Sequence, residues 1–277
     1  MPFTPSHAVV ALPFVRTPLV PAAIAVGAMA PDLPLFVRLS PFGYGRTHDF
    51  AWLPLTILLA LALLLIWRCV LRPAARELSP GWLAVRLPSG WDRGARSAAR
   101  ETLAIEVVAE PSRPRRWAIS WSGMLLLAAS LAIGIASHIV WDHFTHEGRW
   151  GAQTIPLLAA DWGPLPGFKW LQHSSSVIGL AIIALWAVAW LRGRDAAERH
   201  GPRLLPSWVR WAWWLSLPVI LAVAWLAGLA AYGPLDAAFT VQHLAYRVLP
   251  PACAVWGAVT LLLAIGIQVV HGARRQR

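Results

Sequence analysis

The sequence predicts an all-α membrane protein with about five transmembrane helices. Of its 277 residues, 57% are hydrophobic and only 13% are charged, whereas soluble globular chains carry about 25% charged residues. Five apolar runs are long enough to cross a bilayer core, which takes about 20 helical residues. A third observation, the uneven distribution of arginine between these runs, indicates the orientation. We expect residues 1–277 to form a single integral membrane domain.

The predicted spans are separated by segments rich in charge or turn residues. They cover approximately Ala51–Leu71, Ala118–Val140, Ser174–Leu191, Trp211–Ala231 and Ala252–Val270. Pro54 and Pro218 lie within spans, where neighbouring helices can satisfy the freed carbonyl groups. Many of the eighteen tryptophans lie near span ends, as expected for amphipathic rings at the membrane interface. Before the last span, Leu235–Leu249 is predicted to form a short amphipathic stretch.

The N-terminal segment is apolar enough for a sixth span, but it is interrupted by Pro13, Arg16, Pro18 and Pro21. Proline removes a helix hydrogen bond and clashes with the preceding turn. We therefore predict two short helices, about His7–Val15 and Pro21–Ala30, folded as a hairpin that enters the membrane only partway. A full sixth crossing is the alternative. The hairpin returns His7 and Asp32 to the same face.

Basic residues are concentrated on one predicted face. Segments 72–116 and 192–210, together with Arg68 and the C-terminal arginines, hold eighteen basic and seven acidic residues, whereas the other segments hold six of each. The positive-inside rule makes the first face cytoplasmic, with the N-terminus outside and the C-terminus inside. This partition accounts for the net charge of +11, so no nucleic-acid partner is expected. Within this face we expect an Arg-rich loop over residues 72–116, with one surface helix around Ala95–Ala109.

Seven of the nine histidines fall on the opposite face: His7, His48, His138, His143, His146, His173 and His243. Ionisable groups near bilayer depth are costly and suggest a functional site. His138, Asp142 and His146 are spaced i, i+4 and i+8, so on a helix they share one face. Histidine with aspartate suits zinc, manganese or iron. The alternative is a polar helix end that pairs with Arg149 or Lys169.

Several short motifs carry a family resemblance. They are Met-Pro-Phe-Thr-Pro-Ser-His ending at His7, Met29–Asp32, Thr47-His48, Ser137–Trp150 and Lys169–Ser175. Together they resemble an uncharacterised bacterial family of integral membrane proteins with the label "domain of unknown function". The resemblance runs over most of residues 1–190 and implies a bacterial cytoplasmic (inner) membrane.

The same motifs are remotely similar to the predicted membrane-bound metal-dependent hydrolases. Their pattern is an early His, Pro-Asp-x-Asp, His-Arg-x-x-Thr-His-Ser and Ser-His-x-x-x-Asp. This similarity implies a divalent metal, zinc first and manganese or iron as alternatives, held by His7, Asp32, His48, His138 and Asp142. Pro34 and Gly43 stand where that pattern has two further ligands, and Asp49 replaces its serine, so two metals, one or none stay open. His146 and His173 are candidate catalytic residues, as further ligands or proton shuttles.

The leading interpretation is a membrane-embedded metal-dependent hydrolase with its site at the extracytoplasmic face. A site at the interface suggests a lipid-linked or phosphoester substrate. One alternative is a non-enzymatic membrane scaffold whose polar face serves helix packing. The other is a transporter, which predicts ionisable residues at mid-membrane depth, yet the middles of four spans carry no charge.

Overall fold

The computed structural model describes residues 4–37, 43–108, 116–197 and 203–275. These residues are predominantly helical, which confirms the predicted all-α membrane class. They fall into two compact units. The first unit lies within residues 1–33, 42–65 and 99–194, and the second within residues 34–41, 66–98 and 195–277.

Five helical segments are long and apolar enough to cross a membrane, which confirms the predicted number of spans. They are Phe50–Leu78, Trp121–Thr154, Gly167–Arg192, Ser207–Tyr232 and Val241–Ala273, called the first to fifth spans below. The first span begins with a 3-10 turn at Phe50–Trp52, continues as an α-helix over Leu53–Ile66, and widens into a π turn at Trp67–Leu71. It ends with the α-helix Arg72–Leu78, which occupies the start of the predicted loop.

The N-terminal segment forms the predicted hairpin of short helices. A 3-10 helix covers Thr4–Phe14 and an α-helix covers Pro21–Met29. A 3-10 turn at Ala30–Asp32 and the short helix Leu33–Phe36 follow. The apolar stretch Pro21–Phe36 is shorter than a span, so the prediction of two short helices is confirmed, and their partial entry into the membrane stays a prediction. A further helical turn, Tyr44–Thr47, precedes the first span.

The predicted surface helix around Ala95–Ala109 is wrong in its second half. The helix covers Ala95–Thr102 only, and Ile105–Val108 forms a strand that pairs antiparallel with Arg116–Ile119. The β-branched residues of this segment favour a strand over a helix. Residues 109–115 of the predicted loop lie outside the described residues.

The rest of the Arg-rich loop has its own ordered structure. The helix Gly81–Ala84 and the 3-10 helix Ser89–Arg93 are arranged around Arg76. Its guanidinium group pairs with Asp92, with an Nε–Oδ2 distance of 2.9 Å, and donates to the carbonyl oxygens of Ala84 and Leu87.

The second and third spans begin at positions that differ from the predicted ones. The α-helix Trp121–Thr145 starts after Ser120, whose hydroxyl oxygen accepts a hydrogen bond from the Gly123 N–H group. The helix Gly167–Arg192 starts seven residues before the predicted Ser174, directly after Pro166. Hydropathy finds the apolar part of the third span, whereas its polar first turns lie before that part. The second span starts later than the predicted Ala118 because Arg116–Ile119 forms a strand. Between the α-helices Trp121–Thr145 and Gly167–Arg192 lie the short helices Trp150–Thr154 and Pro156–Ala159 and the hairpin strands Asp161–Trp162 and Leu165–Pro166.

The second unit contains the two remaining long helices, Ser207–Tyr232 and Val241–Arg275. The predicted amphipathic stretch Leu235–Leu249 is helical only from Val241, and from there it continues with the fifth span as one helix through Pro250 and Pro251. Indole N–H groups cross-link the two helices. Trp213 donates to the Thr260 hydroxyl group and Trp256 to the Ser216 hydroxyl group, each at 3.0 Å.

Candidate metal centre

The hairpin brings the predicted ligand Asp32 back beside the start of the chain. Ser130 supports this fold, because its hydroxyl oxygen accepts a hydrogen bond at 2.9 Å from the N–H group of Val20, which precedes the second hairpin helix. Asp32 is fully buried, and its Oδ2 atom accepts a hydrogen bond from the Thr4 hydroxyl group at 2.7 Å. The other carboxylate oxygen, Oδ1, is left facing the interior.

Close backbone contact between the hairpin and the second span positions His138. A Cβ atom on Gly134 would collide with the carbonyl oxygen of Ile24 and lie 2.7 Å from the Ala28 nitrogen. One turn further along, the Ala28 carbonyl oxygen lies 2.7 Å from Nδ1 of His138. A carbonyl oxygen only accepts, so Nδ1 carries the hydrogen and the Nε2 atom of His138 is left with a lone pair or a second proton.

His48 is oriented in the same way by the turn that precedes the first span. Thr47 fixes this turn, because its hydroxyl group donates to the Pro31 carbonyl oxygen at 2.7 Å. The Nδ1 atom of His48 lies 2.9 Å from the Tyr44 carbonyl oxygen and donates to it. Metal-ligating histidines in proteins donate their other ring N–H group in this manner.

Four donor atoms converge in the interior of the first unit. The Nε2 atoms of His48 and His138 lie 3.1 Å apart. Oδ1 of Asp32 lies 3.6 Å from each of these nitrogens, and Oδ2 of Asp142 lies 3.4 and 3.5 Å from them. Four donors about 2.0–2.2 Å from one ion at tetrahedral angles lie about 3.3–3.6 Å from one another. The two imidazole nitrogens lie slightly closer than this, and each carboxylate oxygen lies at this spacing from both of them, so each carboxylate could share one divalent cation with the two histidines.

His7 supplies a fifth buried donor. Its ring centroid lies 4.1 Å from that of His138, and one donor atom from each of His7, His138 and Asp142 lies within 4.8 Å of the others. Within the described part of the chain, four buried atoms of this cluster have no neighbour in hydrogen-bonding geometry: His7 Nε2, Asp32 Oδ1 and both carboxylate oxygens of Asp142. Buried polar atoms normally have partners, and a cation shared by these acceptor atoms would provide one.

The charge balance of the groups outside the spans agrees with this conclusion. Burial, followed by the proximity of His138, lowers the pKa of His7 to about 4, which keeps its ring neutral. Burial opposes ionisation of Asp32, but the proximity of the His48 and His138 rings outweighs it and lowers the pKa of Asp32. Burial also opposes protonation of His48, yet Asp142 and Asp32 outweigh it and raise its pKa to about 9. The two carboxylates thus favour positive charge at Nε2 of His48, which a proton or a metal ion can supply.

The two candidate catalytic histidines lie in different places. The second-span helix ends at Thr145, and His146 leaves it with extended backbone angles. His146 therefore does not extend the row of His138 and Asp142; its Nδ1 atom lies 3.5 Å from Oδ1 of Asp142. His173 is exposed on the third span, and the residue that the structure brings to this cluster is the adjacent Gln172.

Four contributors to this site were not predicted from the sequence: the Thr4 hydroxyl group, the carbonyl groups of Ala28 and Tyr44, and Gln172. Gln172 is fully buried and its amide nitrogen lies 3.5 Å from Nε2 of His146. Thr4 and Gln172 both lie within the motifs that carry the family resemblance, but the Ala28 contact depends on chain packing alone.

His243, the seventh histidine of the predicted face, accepts a hydrogen bond from the Thr240 N–H group at the start of the fifth span.

The comparisons with known proteins identify the family without assigning an activity. No curated protein and no solved structure matches this chain. Residues 1–267 match the family described as "Domain of unknown function (DUF4184)". This match extends beyond the motifs within residues 1–190 and includes all five spans apart from the end of the last. The chain belongs to the DUF4184 family of uncharacterised proteins.

Proposed function

We propose that this protein is a membrane-embedded hydrolase that depends on a divalent metal ion, with zinc the first choice and manganese or iron as alternatives. The observation that carries the proposal is the convergence of buried donor atoms: the Nε2 atoms of His48 and His138 lie 3.1 Å apart. One carboxylate oxygen each of Asp32 and Asp142 lies within 3.6 Å of both nitrogens. The remote similarity to predicted membrane-bound metal-dependent hydrolases supports the same assignment, because its pattern names these four residues and His7.

The donor set suits hydrolytic chemistry. Catalytic zinc sites use histidine and carboxylate ligands, whereas many structural sites use cysteine thiolates. A bound ion supplies Lewis-acid activation of water near neutral pH. His7 adds a donor beyond the four, and His146 lies beside Asp142 with its side chain 19% exposed. His146 is therefore more accessible to solvent than His7, His48 and His138.

A lipid-linked or phosphoester substrate is the class that the location favours. The charge distribution, through the positive-inside rule, supports an extracytoplasmic position in a bacterial cytoplasmic membrane. Trp141, Trp150 and Trp170 are exposed on the segments that carry Asp142, His146 and Gln172. Exposed tryptophans favour the membrane–water interface, where the polar headgroup of a lipid substrate would lie.

A second candidate function is a stabilising metal centre in a membrane scaffold. The observation that favours it is the burial of the ligands, since Asp32 and His138 are 0% exposed and His7, the most exposed of the five, is 8% exposed. Structural metal sites are closed, whereas catalytic ones keep a position open to water or substrate.

The experiment combines metal analysis with hydrolysis assays on purified protein in detergent. Zinc, manganese and iron are quantified after loading and desalting, for the wild type and for His138→Ala and Asp142→Ala. His173→Ala is the matched control, because His173 is exposed outside the cluster. Release of phosphate from phosphatidic acid and from an isoprenoid phosphate is then measured.

Metal at one equivalent or more, with hydrolysis that both cluster variants lose and His173→Ala retains, supports the hydrolase. Metal binding without hydrolysis, together with a lower melting temperature after chelation, supports the stabilising centre instead. Wild-type protein that binds none of the three metals would contradict both candidates.

A further inference from the structure

Gln172 is a fully buried polar side chain beside the His146 ring. It lies on the third span, and its amide has two side-chain neighbours. An amide presents an acceptor at Oε1 and two donors at Nε2. The identity of each neighbour therefore decides which end of the amide faces it.

Lys169 fixes the orientation of this amide. Its Nζ atom donates to Oε1 of Gln172 at 3.2 Å, and an ammonium group has no acceptor that could satisfy the NH2 end. The NH2 group consequently faces His146, with 3.5 Å between Nε2 of Gln172 and Nε2 of His146. The ring nitrogen on this side must accept, so it carries a lone pair.

The other ring nitrogen of His146 is surrounded by acceptors. Nδ1 lies 3.2 Å from the carbonyl oxygen of Asp142, 3.5 Å from its Oδ1 atom, and 3.2 Å from the Thr145 hydroxyl oxygen. The Thr145 hydroxyl hydrogen is directed to the Trp141 carbonyl oxygen. Nδ1 must therefore donate. The surroundings of both ring nitrogens thus indicate the same neutral tautomer, with the hydrogen on Nδ1.

We propose that Gln172 and Lys169 are positioning residues that hold His146 as the Nδ1–H tautomer beside the carboxylate of Asp142. The inference rests on the proposed function in one respect, namely that Asp142 is a metal ligand. His146 then acts through Asp142: its N–H group points at the ligand residue, while its Nε2 lone pair is occupied by Gln172. Partners of this kind orient metal ligands, and their loss typically reduces metal affinity 10–100-fold.

The experiment reads the tautomer directly. Protein labelled with 15N-histidine is studied in detergent micelles by long-range 1H–15N correlation NMR, after chelation so that no metal contributes. The His146 signals are assigned by their loss in His146→Asn. We expect the Nδ1–H pattern in the wild type and a mixture of tautomers in Gln172→Leu and Lys169→Met. In Gln172→Glu, the new carboxylate accepts from the ring, so Nε2 becomes protonated.

Ser174→Ala is the control, because the Ser174 side chain is exposed and bonds only within its own helix turn, to the Leu171 carbonyl oxygen. The His146 signals of the Ser174→Ala variant should match those of the wild type. An Nε2–H tautomer in the wild type would overturn the proposal, and so would a His146 pattern unchanged by both Gln172→Leu and Gln172→Glu.

A zinc titration of the same variants separates this inference from the proposed function. With both correct, His146→Asn, which removes the group beside Asp142, weakens zinc binding 10–100-fold, and Gln172→Leu weakens it in the same direction. The expected tautomer pattern without zinc binding by the wild type would leave the positioning of His146 intact and contradict the metal-dependent function alone.

Discussion

The Nε2 atoms of His48 and His138 face each other at 3.1 Å, while the Nδ1 atom of each ring donates to a backbone carbonyl oxygen. Two neutral rings held in this way would direct two lone pairs at each other. The carboxylates of Asp32 and Asp142 lie within 3.6 Å of both nitrogens, so the arrangement requires positive charge between the rings. A proton on one ring or a metal ion between them satisfies this requirement.

Zinc should therefore stabilise the folded protein. A ligand that binds only the native state adds about 2.7 kcal/mol at a concentration of 100 times its Kd. We expect the melting temperature of detergent-purified wild type to rise with zinc and to fall again on chelation. His138→Ala should show no such rise, because it removes one of the four converging donor atoms. Equal zinc-dependent shifts in both proteins, measured by circular dichroism, would contradict a site at His138.

Thr4 should influence metal affinity without being a ligand. Its hydroxyl group donates to Oδ2 of Asp32 at 2.7 Å and so directs Oδ1 towards the two histidines. Loss of such a partner typically costs 10–100-fold in metal affinity, and we expect Thr4→Val to weaken zinc binding by that factor in competition with a chromophoric chelator. Thr154→Val is the matched control, because Thr154 is exposed and bonds to the Trp150 carbonyl oxygen of its own helix. An unchanged Kd in Thr4→Val would remove Thr4 from the site.

Much of the fold and of the donor set could be predicted from the sequence. Hydropathy gave the five spans, and proline spacing gave the hairpin that returns Asp32 to His7. The resemblance named five candidate ligands from four separated segments, and the structure brings their side chains into one cluster. These features depend on local composition or on short motifs, and both can be recognised in one sequence.

The remaining features depend on tertiary packing. The Ala28 carbonyl group reaches His138 because Gly27 and Gly134 let two backbones touch, which no local pattern encodes. The third span begins at Gly167 instead of Ser174, so Gln172 and His173 both lie on a helix and face different sides of it. Gln172 is buried, whereas the predicted His173 is exposed. The helix also ends at Thr145, which breaks the predicted spacing from Asp142 to His146.

In the second unit, the indole–hydroxyl contacts should contribute modestly to stability. Trp213 donates to the Thr260 hydroxyl oxygen at 3.0 Å, and hydrogen bonds between membrane helices are worth about 0.6 kcal/mol on average, with a maximum of about 1.7. We expect Thr260→Val to lower the free energy of unfolding within that range in detergent-denaturation experiments followed by circular dichroism. Thr154→Val again serves as the control. A loss well above 2 kcal/mol would mean that Thr260 has a packing role beyond this bond.

A tight backbone contact between the hairpin and the second span predicts a sharp difference between two glycines. A Cβ atom at Gly134 would collide with the Ile24 carbonyl oxygen, whereas one at Gly266 would meet nothing within 4 Å. Overpacking typically costs about 1–3 kcal/mol, while alanine is favoured over glycine within a helix by about 1 kcal/mol. Gly134→Ala should thus lower the melting temperature, and Gly266→Ala should preserve or raise it. Gly134→Ala should also weaken zinc binding, because the hairpin that it displaces carries the Ala28 carbonyl group, His7 and Asp32. Equal effects of the two substitutions on melting temperature and zinc affinity would contradict this packing.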